Sequence, residues 1–287
     1  MFRNYEWKVA LKYLSVRGHD GFVTVIALFS LFGIFLGVGA LVVTMSVMGG
    51  FREELLGKVI GFNGHVLYQP FGGKMSDYDA AAAEVSTVKN VVRVRPILEG
   101  QAMAMMGDYG TFALVRGIKA EDIRSQDLIA SNIVLGNLDK FGDGENDIVI
   151  GQRLAEKYGL EIGSDVTLMS PKGRITAFGT VPRIQQFSVI AIFEVGEYNY
   201  DSNYFFVPLA AAQTYFQYGD QVGALEVTLT HADMVNETYP ALSQRIVDAG
   251  LAGRVIDWQQ LNRAFFISRK SGADNFCGFF RLFRLAA

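Results

Sequence analysis

The feature that most constrains this chain is an uncharged, apolar run from Phe22 to Met48, close to the N-terminus. About 20 apolar residues cross a bilayer as a helix, so this run of 27 residues spans it and extends beyond it. A signal peptide has an apolar core of roughly 7–15 residues and small residues at its cleavage site, whereas Met45–Ser46–Val47–Met48 has no A-x-A pattern. We therefore predict a transmembrane helix over residues 22–50, with a cleavable signal peptide as the alternative.

The positive charges are unequal on the two sides of this run. Those ahead of it are Arg3, Lys8, Lys12 and Arg17, and those shortly behind it are Arg52 and Lys58, offset by Glu53 and Glu54. An excess of Lys and Arg marks the cytoplasmic side, so residues 1–21 are predicted to be cytoplasmic and the rest to lie in the periplasm. Apolar side chains at helical spacing in residues 5–17, with lysines opposite, predict an amphipathic helix on the inner leaflet.

The membrane run and its continuation each carry a helical pattern. Gly33 and Gly37 form a G-x-x-x-G motif, which lets two membrane helices approach closely. The sequence has no second run of 18 apolar residues, so a helix packed on this motif would come from another chain. Beyond Met48, apolar residues at Phe51, Leu55, Leu56, Val59 and Ile60 predict that the helix leaves the membrane as an amphipathic, stiff stalk.

Residues 51–266 have the mixed pattern of an α+β domain. Strands are predicted at 65–69, 91–106, 111–116, 147–150, 187–193 and 225–230, and at the end of "GLEIGSDVTLMS" after a turn. Helices are predicted at 77–89, 153–158, 208–216 and 232–249, the first capped by Ser76 or Asp77. Residues 77–135 are predicted to form an inserted lobe in a core made of 61–76 and 145–260.

No residue pattern indicates an enzyme, a metal site or a cofactor. The histidines, His19, His65 and His231, lack metal-ligand spacing, and neither a G-x-S-x-G nor a phosphate-binding motif is present. A net charge of −3 does not suggest a nucleic-acid partner, and the single cysteine, Cys277, allows no internal disulfide.

The stretch "MSPKGRITAFGTVPRIQQF", residues 169–187, is the best candidate for a binding element. It is interpreted as a loop between two strands, and it is long compared with the median loop length of about 4–6 residues. It carries Lys172, Arg174 and Arg183 without an acidic residue, and Phe178 and Val181 between glycines and prolines. Such a loop suits a protein partner with an acidic rim around an apolar pocket, and an ordinary exposed hairpin is the alternative.

Several segments resemble the permease subunits of the lipoprotein-releasing (Lol) ABC transporters. They are "ALKYLSVR", "GFVTVIALFSLFGIFLGVGALVVTMSVMGGFREELL", "DIVIGQRLAEKYGLEIGSDVTLMSPKGR" and "GEYNYDSNYFFVPLAAAQTYF", and the resemblance covers about residues 5–266. It implies an α+β periplasmic domain with a macrolide-exporter-like periplasmic core behind an N-terminal transmembrane helix. It also implies an inner-membrane, non-catalytic component with no cofactor. Two permease subunits and two cytoplasmic ATPase subunits would pass lipoproteins from the membrane to a periplasmic carrier.

The resemblance also assigns roles to particular residues. A projecting hook of the family recruits the carrier, and the positions matching it are Pro171, Lys172, Gly173, Arg174, Phe178, Pro182 and Arg183. Met45, Met48 and Phe51, at the end of the membrane run, would face the path of the acyl chains or pack on another helix, as would Gly33 and Gly37.

The resemblance ends at Phe266, where the family continues into a second membrane helix. Residues 267–287 are interpreted as an aberrant tail from a frameshift or truncation that prevents coupling to ATP hydrolysis, or as a natural amphipathic end. Two other functions stay open. One is a related permease of the macrolide-exporter or cell-division type, and the other is a single-pass anchored binding or sensor domain.

Overall fold

The computed structural model describes Tyr5 and residues 21–144, 146–176 and 179–261, without the side chains of 21, 23, 24, 27, 51–61, 171–180, 259 and 261. The predicted amphipathic segment (apart from Tyr5) and the tail 267–287 lie outside the described residues. The chain divides into two compact units, Met1–Gly57 and Lys58–Ala287.

A single helix, α1, runs over Gly21–Asn63. Within it, Leu28–Gly50 is long and apolar enough to cross a membrane, with a mean hydropathy of 2.3. The large apolar side chains described in this stretch are exposed, as expected of a helix whose surroundings would be lipid. The helix also includes Gly49 and Gly50 and continues past them, which confirms the prediction of one uninterrupted helix.

The rest of the described chain is an α+β domain, as predicted. Its strands are β1 (Val66–Pro70), β2 (Val91–Met106), β3 (Tyr109–Ile118), β4 (Ile133–Gly136), β5 (Asp147–Gly151), β6 (Asp165–Thr176), β7 (Gly179–Phe193), β8 (Tyr204–Pro208), β9 (Ala224–Leu229) and β10 (Gly253–Asp257). Its α-helices are α2 (Tyr78–Ser86), α3 (Ala120–Arg124), α4 (Asp127–Ala130), α5 (Gln152–Tyr158), α6 (Tyr198–Asn203), α7 (Leu209–Phe216), α8 (Val235–Asp248) and α9 (Trp258–Leu261), and Ala232–Met234 is a 3-10 turn.

Six of the strands close into a barrel. In hydrogen-bonding order they are β2, β3, β8, β5, β7 and β6, and β6 pairs back with β2. Closure removes free strand edges, which would otherwise present unpaired backbone groups. The interior side of β2 and β3 carries small residues such as Ala104 and Ala113, which are fully buried.

The long strand β2 also belongs to a second sheet. Its first half, Val91–Ile97, pairs with β9, and β9 continues through β1 to β10, all antiparallel. Its second half, Leu98–Met106, pairs with β3 inside the barrel. The strand β2 thus joins the two sheets. Arg95 lies just before the point where β2 passes from one sheet to the other, and Glu99 lies just after it.

The sequence identified the longer elements but not all of the short ones. The strands β4, β8 and β10 and the helices α3, α4, α6 and α9 were not predicted from the sequence, because each has only four to six residues and lacks a clear period. Helix α2 ends at Ser86 rather than at residue 89. Asp77 is its N-cap, with a left-handed backbone (φ 52°) and without a side-chain capping bond. The inserted lobe, residues 77–135, stays a prediction.

Candidate functional site

The C-terminal end of α1 is held by a buried arginine of the barrel. Arg116 donates to the carbonyl oxygen of Phe62 at 2.8 Å and to Oδ1 of Asn63 at 2.7 Å. Gln126 donates to the same Phe62 carbonyl at 3.1 Å. The last carbonyls of a helix have no partner within the helix and carry partial negative charge, so a cation here supplies both hydrogen bonds and favourable electrostatics.

Arg116 is part of a charged cluster inside the domain. Its Nε lies 2.6 Å from Oε1 of Glu99, and its Nη1 lies 3.3 Å from Oε2 of Glu226, which also pairs with Arg95 at 3.4 Å. Burial lowers the pKa of Arg116, but Glu99 and Glu226 outweigh it and raise the pKa overall. Burial raises the pKa of Glu226, and the two arginines oppose that rise. Arg116 therefore stays charged beneath the helix end.

Aromatic packing fixes the same helix end. The ring of Phe62 stacks on Tyr200 with centroids 3.8 Å apart and meets Tyr204 edge-on at 4.7 Å. The hydroxyl of Tyr200 accepts from Nδ2 of Asn63 at 2.8 Å. Gly64, with φ +68°, then ends the helix, and a Cβ there would lie 2.7 Å from the side chain of Glu226. The helix terminus and the barrel thus form one packed unit, which sequence reasoning did not find.

The segment interpreted as a long loop consists of two paired antiparallel strands, which corrects that interpretation and agrees with the hairpin given as its alternative. Strands β6 and β7 pair through residues 165–176 and 179–188, including Arg174 with Val181 and Thr176 with Gly179. The register shifts between Ser170 and Arg174, so Pro171, Lys172 and Gly173 bulge opposite Pro182. Proline has no N–H to donate, and bulges are where it is tolerated in a sheet, so the prolines that suggested a loop mark a bulge instead.

The structure places the predicted hook residues along this hairpin. Pro171, Lys172, Gly173 and Arg174 lie on its outgoing strand, Pro182 and Arg183 lie on its returning strand, and Phe178 lies outside the described residues. In the described pairings, the ladder from Arg174 to Thr176 is bonded only to β7, so the hairpin continues past the barrel as a two-stranded ribbon. Nη1 of Arg183 donates to the carbonyl of Tyr215 in α7, which ties the base of the ribbon to the barrel.

The predicted membrane residues all lie on α1. A Cβ atom at Gly33 or Gly37 would have no neighbour within 4 Å, and Met45 and Met48 are exposed. Phe51 lies on the same helix, with its side chain outside the described part. In the described residues no cluster of His, Cys, Asp and Glu could hold a metal ion.

An apolar cleft adjoins the base of the hairpin. It has a volume of about 450 Å³ and is lined by Gln101, Ala102, Met103, Phe112, Met169, Ser170 and Pro182. A second cleft of about 520 Å³ shares Gln101 and Ser170 with it and includes Lys74, Glu99 and Arg183. Sequence reasoning missed this surface, although the alternation in "QAMAMM" shows that one face of β2 carries small residues and the other large apolar ones.

Comparison with known proteins gives a family match over most of the chain. Residues 27–245 match the MacB-like periplasmic core domain. The lipoprotein-releasing system transmembrane protein LolC of Neisseria meningitidis serogroup B is 30% identical over 268 residues, which are 93% of this chain and 63% of the relative. LolC of Xylella fastidiosa is 28% identical over 94% of this chain and 64% of its own length. LolE of Haemophilus influenzae is 25% identical over 79% and 55%.

Solved structures with partial similarity include two domains of transporters. The extracellular domain of the noncanonic ABC-type transporter YknZ from Gram-positive bacteria has a TM-score of 0.47 and 17% identity, covering 67% of this chain and 99% of that domain. The periplasmic region of MacB from Actinobacillus actinomycetemcomitans has a TM-score of 0.48 and 12% identity, covering 73% and 95%.

Proposed function

Because the chain belongs to the MacB-like periplasmic core domain family, we propose that it is a permease component of an ABC transporter that releases lipoproteins from the inner membrane to a periplasmic carrier. The relatives named for lipoprotein release support this assignment, and the chain spans less than two thirds of their length. In this proposal, α1 crosses the inner membrane from a cytoplasmic N-terminus, and the α+β domain lies in the periplasm.

The observation that carries the proposal is the β6–β7 ribbon. A two-stranded ribbon that extends past a closed barrel, and whose sequence contains Lys172 and Arg174 without an acidic residue, suits a soluble partner with an acidic surface. Basic and acidic surfaces steer encounter between partners and fix their orientation. The ribbon is anchored at its base by Arg183, so its position relative to the barrel is defined before binding. We assign it to the recruitment of the carrier.

The other partners follow from the same proposal. The chain has no recognisable nucleotide-binding motif, so a separate cytoplasmic ATPase subunit would hydrolyse ATP. A second permease subunit would pack on α1 at Gly33 and Gly37, where small residues leave room for another helix. Met45, Met48 and Phe51 would contact the acyl chains of lipoproteins, because unbranched and aromatic side chains adapt to variable apolar ligands.

The test is site-specific photocrosslinking in the inner membrane of a Gram-negative host. A photoreactive residue replaces Val181, which is 55% exposed on the ribbon, and a matched control replaces Val247, which is 68% exposed on α8. We expect the Val181 position to crosslink the lipoprotein carrier and the Val247 position not to. When Arg174→Glu is added to the chain with the photoreactive residue at position 181, the yield of carrier adduct should fall about tenfold or more. The reason is that reversing this charge removes a favourable electrostatic interaction of a few kcal/mol. Absence of a carrier adduct at Val181, or equal adducts at both positions, refutes recruitment by the ribbon.

A further inference from the structure

Four large apolar side chains form a continuous row on the outside of the barrel. Met103 is directly opposite Phe112 of β3 on one side and Met169 of β6 on the other, and Met169 is opposite Ile184 of β7. Directly opposed residues lie on the same face of a sheet. Phe112, Met103 and Ile184 are 49%, 51% and 60% exposed, and Met169 is half-buried. We call these four residues the apolar row.

In this part of the barrel the larger apolar side chains point outward and the small ones point inward, which is unfavourable for a surface exposed to water. The neighbouring residues Ala102, Ala104 and Ala113 point inward and are buried, while the larger side chains of Met103 and Phe112 point outward. Sheets with one solvated face normally carry polar side chains there, and contiguous exposed apolar patches mark binding surfaces. The row therefore has the character of a surface that is covered during function.

The apolar row leads into a second cleft that contains charged side chains. The cleft along the row shares Gln101 and Ser170 with the second cleft, in which Lys74 and Arg183 supply positive charge. Nζ of Lys74 donates to the carbonyl of Gln217 at 2.9 Å and lies 4.5 Å from the ring centroid of Tyr218, which positions its charge at this end. The carboxylate in the second cleft, Glu99, is already paired with Arg116. The surface is thus apolar at one end and rich in hydrogen-bond donors at the other.

We propose that the apolar row binds an acyl chain of a lipoprotein anchor, with the ester and amide carbonyls of that anchor directed toward Gln101, Lys74 and Arg183. This inference rests on the proposed function and adds a binding site for the lipid part of the substrate on the external domain. Carbonyl oxygens are hydrogen-bond acceptors and match the donors of the second cleft. Methionines adapt to flexible apolar ligands, and a volume of about 450 Å³ lies in the range of about 300–1,000 Å³ typical of small-ligand sites.

The experiment uses the full chain in lipid nanodiscs and a synthetic lipopeptide whose acyl chain ends in a photoreactive diazirine. After irradiation, mass spectrometry locates the labelled residues. We expect label on the peptides that contain the apolar row, and we expect Met103→Asp and Phe112→Asp each to reduce that labelling at least about tenfold, because a carboxylate makes an apolar contact costly. Val247→Asp removes an even more exposed apolar residue on α8 and should leave the labelling within about twofold of the unsubstituted chain.

Carrier crosslinking from Val181 is measured on the same variants, so the two proposals fail separately. Unchanged lipopeptide labelling in Met103→Asp and Phe112→Asp, with carrier capture intact, overturns the acyl site and leaves the proposed function standing. Loss of carrier capture in these variants without loss of lipopeptide labelling also overturns it, because the row would then dock a protein. Matched thermal unfolding curves for all variants ensure that a loss of labelling does not come from unfolding.

Discussion

At the scale of single residues, Arg116 has the largest predicted effect on stability. Replacing it with Met removes one of the two arginines that pair with the buried Glu226 and one of the two donors to the carbonyl of Phe62, which costs about 3–5 kcal/mol. Arg116→Lys retains the charge, but an ammonium does not reproduce the planar fork that reaches both Phe62 and Asn63, so we expect an intermediate loss. Thermal unfolding of the chain in nanodiscs measures both.

A matched control for Arg116 lies on the surface. Arg245 pairs with Glu84 at 2.6 Å, but the two side chains are 41% and 49% exposed. Exposed pairs contribute about 0–1 kcal/mol, so Arg245→Met should change the melting temperature little. Equal losses in Arg116→Met and Arg245→Met would contradict the role assigned to the buried cluster.

His65 gives the domain a pH dependence. Its Nδ1 accepts from the backbone N–H of Leu229 at 2.8 Å, and burial, with a smaller contribution from His231, lowers its pKa below 6.5. Below pH 6.5 the unfolded chain therefore binds more protons than the folded one, so stability is complete above about pH 6.5 and declines as the pH falls toward the folded pKa. His65→Asn keeps an acceptor but does not titrate, and it should flatten this decline in melting temperature between about pH 6.5 and 5. An equally steep decline in the variant would assign the pH dependence to other groups.

At the scale of elements, α1 offers a test of helix packing that leaves the helix itself unstrained. A Cβ atom at Gly33 or Gly37 would have no neighbour within 4 Å, and Ile has a higher helix propensity than Gly, so the double variant Gly33→Ile, Gly37→Ile should fold as α1. The larger side chains should prevent close approach of a partner helix and reduce its association about tenfold or more, as measured by energy transfer in nanodiscs. Gly39→Ile, on another face of the same helix, is the matched control and should have little effect. Equal effects at both faces would refute a specific packing surface.

The elements also show which parts of the fold the sequence determines locally. The alternation of β2 and β3 around Gly107 and Asp108 predicts their hairpin, because the pattern and the turn lie within one short segment. For the ribbon of β6 and β7 the sequence does not separate a long loop from a hairpin, because prolines and glycines such as Pro171, Gly173 and Pro182 occur both in bulges and in connections. The positions of the hook residues in the sequence could therefore be predicted, whereas the secondary structure of the segment that contains them could not.

At the scale of the whole molecule, the unpredicted features are those that depend on long-range pairing. Arg116 and Glu226 are 110 residues apart in sequence, and barrel closure depends on β6 returning to β2. The periodicity of side chains within one segment gives no information about such long-range contacts. The charged cluster at the end of α1, and likewise the apolar row, can therefore be identified only from the sheet topology. The long apolar helix was predictable because its signal, an uncharged run of residues, lies within one segment and does not depend on a partner strand.

The orientation of the chain is the whole-molecule property on which its proposed function depends. Basic residues precede α1 in excess, so we expect the N-terminus in the cytoplasm and the α+β domain in the periplasm. In a Cys277→Ser background, Asp108→Cys places a thiol in the exposed β2–β3 turn and Asn4→Cys places one ahead of the helix. A membrane-impermeant maleimide added to intact spheroplasts should label the first variant at once and the second only after permeabilisation. The reverse pattern would place the ribbon and the apolar row on the cytoplasmic side, where no periplasmic carrier reaches them, and lipoprotein release as proposed would be excluded.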